Sequence, residues 1–598
     1  MAIAAVLVLS ACTSDGERVV DGSEVIVASS EPFTSYNDKT AFGNTAANNA
    51  VVAATNSSFS YFDSDRQLVA DESFGRYEVV SDSPFSVRYT LASGVSWSDG
   101  TPIDAADLLL SWAANSGVFT TQGFSPADYI DQETGEFTTD FPSDAVYFDG
   151  ATHSGLERVH ATPVVSSDRR SITLTYGEYF ADWKLAFEIG VPAHVVGERA
   201  LDLDAEGSEE TAKDAVVAAI TDHDDSALAA ISRTWNSDFN FDRMPTDDRL
   251  LVGSGPYTVT AIKPGESVTL TANGAYRGIR KPTVETVVIR TIGDPLMAVD
   301  ALEAGEVDVI TPAPTTAVVS ALDAVDGVTT DIGSSGTFEH LDLQFDGGKS
   351  DVFSDSLVRR AFLATVPREQ IVTDLVEPID PSATVRSSFV LAPAAEGYAD
   401  AIERNGSSAA DDVDIAEARS LLAQAGAEKP RVCVLYDPAN PRRVAEFTLI
   451  RESAARAGFV VTDCSDPGWM ELLGVGGAYD AALFGWNESI PAVTGLQSRL
   501  GSTSTVSNFS NYSSATVDEL LVTLSKTEDV DEQHEVLVEI DTALWTHAYG
   551  VPLYQYPAVT AWSDRVSNVS PSALAPGVFW NIWDWQPAAK GPSPAPSR

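Results

Sequence analysis

Side chains able to do chemistry are plentiful in this chain, and almost none are spaced to do it. There are 87 Asp and Glu against 37 Lys and Arg over 598 residues. At that density some carboxylate pair always stands at acid/base spacing, so pairing alone nominates nothing. The nucleophile elbow Gly-x-Ser-x-Gly and the zinc-protease helix His-Glu-x-x-His do not occur in the sequence. The seven histidines are scattered. His194, in the run Val191-Pro192-Ala193-His194-Val195-Val196, has no second ligand at helical or loop spacing and reads as structural. The run Gly253-Ser254-Gly255-Pro256-Tyr257 lacks the Lys-Ser/Thr of a phosphate loop, and Thr258 to Ile262 after it reads as strand rather than helix. No catalytic centre, metal or cofactor emerges, so a secreted hydrolase is disfavoured. A structural surface protein would carry repeats, and the sequence has none. What remains is equipment for holding a ligand: large aromatics beside a few polar groups. Gly485-Trp486-Asn487-Glu488, at the end of the apolar run Ala481-Ala482-Leu483-Phe484, is the best example.

Such residues must be set out by strands. Val25-Ile26-Val27-Ala28 is a short apolar strand that ends in a polar, Pro-containing loop with Glu31, Phe33 and Thr34, where α/β folds put ligand contacts. Gln344 closes a second strand pattern, Leu341-Asp342-Leu343-Gln344. Cys433 lies in the strand pattern Arg431-Val432-Cys433-Val434-Leu435. A helix over 441–457 follows, with Phe447, Ile450 and Ala454 on one face, and the strand pattern Phe459-Val460-Val461 then leads to Cys464. Such a crossover lays its two strands side by side and parallel. Cys433 and Cys464 therefore either pair as a disulfide outside the cytoplasm or stay two buried thiols. Residues 201–230 are acidic and Ala-rich and read as exposed helix.

A chain of this length is expected to build two or three domains. Its formal charge of −50 repels nucleic-acid phosphates and anionic lipid headgroups, which excludes nucleic acid as a partner. A generally acidic proteome gives the same count as a cationic ligand would. Ala2 to Leu9 is apolar but too short to span a bilayer. Leu9-Ser10-Ala11-Cys12 resembles a bacterial lipobox, although no Lys or Arg precedes the apolar stretch. On that reading 1–11 is a lipoprotein signal, Cys12 receives lipid, and 12–24 is a tether. The last residues, 588–598, are rich in Pro, Ser and Ala and read as a disordered tail.

Residues 91–112, LASGVSWSDGTPIDAADLLLSW, carry Asp99-Gly100 as a turn, Pro102 as a stiffener and Asp104 as a helix cap. This segment resembles the signature of extracytoplasmic solute-binding proteins of family 5, the receptors of peptide- and nickel-type ABC importers. Further runs fit the same pattern in order. They are Glu31-Pro32-Phe33, Gly253 to Tyr257, Lys281-Pro282 with Glu306-Val307-Asp308, Asp355 to Phe362, Ile415 to Gly426, Gly485-Trp486, Tyr512 to Leu521 and Tyr549 to Tyr556. The chain departs from the peptide receptors after Trp486. They carry an acid three positions on, which grips the α-amino group; here that position is Ser489, and Glu488 stands one residue earlier.

The resemblance implies an α/β, two-lobed periplasmic-binding-protein fold with an extra subdomain and a two-strand hinge. Lobe I would span 25–312, with the subdomain at about 60–164, and lobe II would span 313–548. The chain would return to lobe I over 549–587, with crossings at 311–314 and 549–556. It implies a non-enzymatic, monomeric, lipid-anchored receptor. Such a receptor captures a small solute, an oligopeptide by family default, and delivers it to ABC permease subunits. Alternatives are an oligosaccharide, a siderophore or a metal chelate. The ligand contacts expected are Glu31, Phe33, Thr34, Gln344, Gly485, Trp486, Asn487, Glu488, Tyr554 and Tyr556.

Overall fold

Ten strands join in one mixed sheet that runs through most of the chain. From one edge the order is Val460–Asp463, Arg431–Leu435, Ala481–Asn487, Val328–Leu343, Gly550–Ser563, Val309–Ile310, Val20–Ser29, Val284–Thr291, Ser267–Ala272 and Tyr257–Lys263. The computed structural model describes residues 18–131, 134–150, 155–203, 209–488, 493–504 and 507–588. Cys12 and the signal segment, and the tail from 589, lie outside the described residues.

Inner strands such as Arg431–Leu435 and Ala481–Asn487 are apolar without alternation because helices or loops cover both faces. The first strand begins at Val20, where a tether was expected, because Val20 pairs with Val284 at an exposed end of the ladder. Arg431–Leu435 and Val460–Asp463 are parallel neighbours. The helix Pro441–Ala457 between them buries Phe447, Ile450 and Ala454. Cys433 and Cys464 are joined in a disulfide with their Cα atoms 5.5 Å apart.

The sheet serves two lobes with separate cores. One core gathers Val27, Val51, Trp97, Trp112, Trp235 and Leu270, with a satellite around Ala28, Leu302, Ile310 and Val318. The other gathers Leu341, Phe362, Val434, Ile450, Leu483 and Val551. Two long strands carry residues of both. In Gly550–Ser563, Val559 and Ala561 belong to the first lobe while Val551 and Leu553 belong to the second. Residues 311–314 lead instead into the helix Thr316–Leu322, whose Val318 and Leu322 pack beside Ala28 and Ile310. The outgoing connection is the strand Val328–Leu343, antiparallel to Gly550–Ser563.

These two strands break register midway. Ser334 pairs with Pro557 and Phe338 with Gln555, so residues 335–337 bulge against Tyr556 alone. The bulge's carbonyls all find donors. Gln555 Nε2 donates to Ser335 O at 2.8 Å and Thr337 O at 3.0 Å, and Glu488 N donates to Gly336 O at 2.6 Å.

The first lobe also holds a four-stranded sheet, in the order Gly75–Asp82, Phe85–Leu91, Ser171–Gly177, Val164–Val165. The segment 91–112 links it to the helix Ala105–Ser116. Gly100 takes φ 95° in the turn, Asp104 and Asp107 cap the helix reciprocally, and buried Trp97 donates to Asp107 at 3.3 Å. His194 meets Asp99 at 2.8 Å within this scaffold. The acidic stretch near 201–230 forms two helices, Glu209–Thr221 and Asp225–Ser237. They are not simply exposed: Val216, Ile220, Leu228 and Ile231 are buried.

Candidate functional site

A cavity of about 1120 Å³ lies between the lobes. The first lobe lines it with an aromatic wall of Tyr61, Phe62, Phe187, Phe579, Trp580 and Trp583. Arg280 lies within this wall, with its guanidinium carbon 5.1 Å from the Trp583 ring centre and 5.5 Å from that of Tyr61. Its Nε donates to Asp71 at 3.1 Å, a partner with no solvent exposure. The second lobe contributes Asn487, Gln497, Ser498, Leu521 and Lys526. Lys526 reaches across the cleft to Glu178, Nζ to Oε2 2.6 Å.

The strand Ala481–Asn487 delivers its end to this cavity by pairing Trp486 with Phe338 and Asn487 with Thr337, the last residue of the bulge. Asn487 lines the cavity. Half-buried Trp486 lies parallel to two rings, His340 at 5.9 Å and Phe509 at 5.6 Å between centroids. Phe484, two residues back on the same face, meets both His340 and Trp486. Gly485 stands where its neighbours approach closely. A Cβ there would fall 2.9 Å from Thr337 Cγ2 and 3.1 Å from the Tyr556 hydroxyl.

Glu488 does not present a free carboxylate. Arg386 Nη1 lies 3.0 Å from its Oε2 and Arg499 Nη1 3.7 Å from its Oε1. Arg386 is fully buried, with its guanidinium carbon 3.6 Å from the centre of the Phe338 ring. It also donates from Nε to Ser388 O and from Nη1 to Gln555 Oε1, each at 2.8 Å. Burial pulls the Arg386 guanidinium below its ordinary pKa, and Glu488 opposes that pull. Arg499 donates to Phe389 O at 2.7 Å and stands 5.6 Å from both the Phe338 and Trp486 rings.

The remaining expected contacts lie elsewhere. Glu31 and Phe33 border a small depression with Ile262 and Lys263, and Phe33 packs against Phe241. Thr34 is tied to Asn48, accepting at its hydroxyl and donating from its backbone N at 2.8 Å. Gln344 is buried and accepts from Asn511 at 3.0 Å. Tyr554 and Tyr556 enter a buried charge cluster. Tyr554 donates to Glu446 and Tyr556 to Glu339, Arg442 pairs with both acids, and Arg443 pairs with Glu339. Burial and the neighbouring Glu339 push the Glu446 carboxyl up to about 8. Of the ten residues expected to touch ligand, Asn487 alone is among those lining the large cavity.

Sequence reasoning missed Tyr61, Arg280, Trp583, Lys526 and the arginines around Glu488. They come from distant segments and share no spacing. A usable signal existed only for Trp583, in the aromatic-rich stretch Phe579-Trp580-Asn581-Ile582-Trp583. Among the described residues no group of three or more His, Cys, Asp or Glu is placed to hold a metal.

Comparison with known proteins places this geometry. The family description "Bacterial extracellular solute-binding proteins, family 5 Middle" matches residues 68–508. An uncharacterized lipoprotein of Mycobacterium tuberculosis is 26% identical over 613 residues, covering 98% of this chain and 96% of the relative. Among solved structures, the periplasmic EDTA-binding protein EppA superposes with TM-score 0.76 at 21% identity, covering 95% of this chain and 97% of the other. The oligopeptide-binding protein AppA of Bacillus subtilis, in complex with a nonapeptide, gives TM-score 0.63 at 16% identity, covering 95% and 99%.

Proposed function

The chain belongs to the bacterial extracellular solute-binding proteins of family 5, and we propose from that premise that it is the lipid-anchored receptor of an ABC importer. Family 5 proteins are transport receptors rather than enzymes. In this reading the solute enters between the lobes, the two long strands bend at the bulge, and the closed form presents the solute to permease subunits in the membrane. A ligand that touches both lobes favours the closed form by its differential affinity. The observation that carries the reading is the cavity of about 1120 Å³ lined from both lobes. Just above the usual range for ligand sites of about 300–1,000 Å³, it suits a solute larger than one amino acid. We place the lobe boundary within the strands Val328–Leu343 and Gly550–Ser563. Lipidation at Cys12 is supported by the lipobox-like sequence and by the lipoprotein name of the mycobacterial relative. The receptor acts as a monomer.

Oligopeptide is the first reading for the solute, supported by the likeness to AppA with its nonapeptide. A second reading, a non-peptide anionic solute, is favoured by Glu488. Held by Arg386 and Arg499, it is not available to grip a peptide's amine. The likeness to an EDTA-binding protein supports the same reading.

The test begins with mass spectrometry of the solute that copurifies with the chain. That solute, removed and then returned, is expected to raise the melting temperature and to be recovered unaltered. Chemical alteration of the solute, or an unchanged melting temperature, contradicts the receptor reading.

A further inference from the structure

The apolar side chains that line the cavity are of two kinds. Phe187, Phe579, Trp583 and Leu521 also pack into the hydrophobic cores of their lobes. Phe62, Leu68, Trp580 and Val522 line the cavity too, yet among the described residues they belong to no core. Val522 is 50% exposed, and Phe62, Leu68 and Trp580 are half-buried. Large apolar side chains kept out of a core, accessible and gathered around one cavity, mark a binding face.

These side chains are held in place from behind. Phe62 and Leu68 pair directly across the hairpin Ser60–Phe62/Leu68–Ala70, so they share one face of it. Trp580 donates from Nε1 to Ser570 O at 2.7 Å. Its ring meets Trp583 edge-on, 6.4 Å between centroids at 87°, and Trp583 meets Tyr61 the same way, 5.5 Å at 79°. Trp583 is the buried post of this group. Arg280 lies against Trp583 and Tyr61 and is neutralised by buried Asp71, so the place for a cation among these rings is already filled. Other charges at the cavity are engaged with one another, Lys39 with Asp38 and Glu188, and Lys526 with Glu178. Val522 comes from the second lobe, on the helix Ala515–Lys526. It stands one turn before Lys526, which reaches Glu178 of the first lobe, so both share the helix face turned toward that lobe.

We propose that Phe62, Trp580 and Val522 form a seat for a flat, uncharged ring carried by the solute: the aromatic side chain of a peptide or the apolar face of a sugar. This deepens the receptor reading and rests on it. Aromatic side chains accept such a ring edge-on or in offset stacking, and the polar groups around the cavity take the rest of the solute. A cationic side chain would give up its water against rings whose cation place Arg280 occupies. Phe62 and Trp580 belong to the first lobe and Val522 to the second. A ring between them touches both lobes and favours the closed form.

Four probes test this by thermal shift and calorimetry on the intact chain: Ala-Trp-Ala, cellotriose, Ala-Lys-Ala and trialanine. Ala-Trp-Ala or cellotriose, at millimolar concentration, is expected to raise the melting temperature further than Ala-Lys-Ala or trialanine does. A response to Ala-Trp-Ala identifies the ring as a peptide side chain, and one to cellotriose identifies it as a sugar. Phe62→Ala and Trp580→Ala should each weaken the responding probe by about tenfold, and Val522→Asn by about threefold. None of the three packs into a core, so the ligand-free melting temperature should change little. Phe62→Ala and Val522→Asn keep the test valid if loss of the Trp580 hydrogen bond harms folding. No response to either ring probe, a response no larger than that to trialanine or Ala-Lys-Ala, or unchanged affinity in Phe62→Ala overturns the seat. The receptor reading then stands or falls separately on the copurifying solute.

Discussion

Arg386 donates to the Gln555 side chain at 2.8 Å, and the other end of the same amide closes two carbonyls of the hinge bulge. One residue therefore ties the buried Arg386, paired with Glu488, to the point where the two lobe-spanning strands break register. Gln555→Ala would leave Ser335 O, Thr337 O and Arg386 Nη1 short of partners. The expected loss is about 2 kcal/mol in chemical denaturation, since one or more buried polar groups go unsatisfied. Ligand affinity should fall with it. A variant as stable as the parent would show that the bulge does not depend on this link.

The Lys526–Glu178 contact across the cleft plays a smaller part. Both side chains are half exposed or more, 50% and 74%, so solvent screens the pair. Lys526→Glu should change ligand affinity only a few-fold in calorimetry, and less still at high salt. A loss of a hundredfold would mean that this pair, rather than the ligand, holds the lobes together.

Much of the scaffold was legible before the structure, for local reasons. Asp99, Gly100, Asp104 and Trp97 form their turn and cap within a few residues of one another, and spacing reveals that. The strand-helix-strand unit put Cys433 and Cys464 on neighbouring strands, which left a disulfide or two buried thiols open, and the structure has the disulfide. The outgoing strand of the hinge was not legible. The first half of Val328–Leu343 is largely exposed or half-buried and carries no apolar alternation, so the Pro-rich residues 311–314 drew attention instead. The site was read only in part. Trp486 is where an aromatic was expected, but it supports Arg499. Arg386 and Arg499 come from separate segments and meet at Glu488 only through the fold.

The disulfide closes a loop with a sequence separation of 31 residues, joining the strand Arg431–Leu435 to the end of its edge neighbour Val460–Asp463. Chain entropy gives such a link about 4 kcal/mol. Replacing both cysteines by serine should lower stability by about that amount, with hydrogen exchange rising first around Arg431–Leu435 and Val460–Asp463. Faster exchange confined to the first lobe would contradict this placement.

The buried cluster at Tyr554 makes a pH-dependent prediction. Glu446 is pushed from 4.5 up to about 8 by burial and by Glu339. The folded chain then binds more protons than the unfolded one between those values, so stability falls as pH rises from about 4.5 to 8. Glu446→Gln, which still accepts from Tyr554, should flatten the melting-temperature profile over that window. An unchanged slope would assign the pH dependence to other groups.

Closure on a solute is the central claim, and small-angle scattering reads it most directly. The chain purified with its solute is expected to be compact, the stripped chain to have a larger radius of gyration, and the returned solute to restore the smaller value. A radius that stays the same in all three states, with the solute shown by mass spectrometry to come and go, would contradict it.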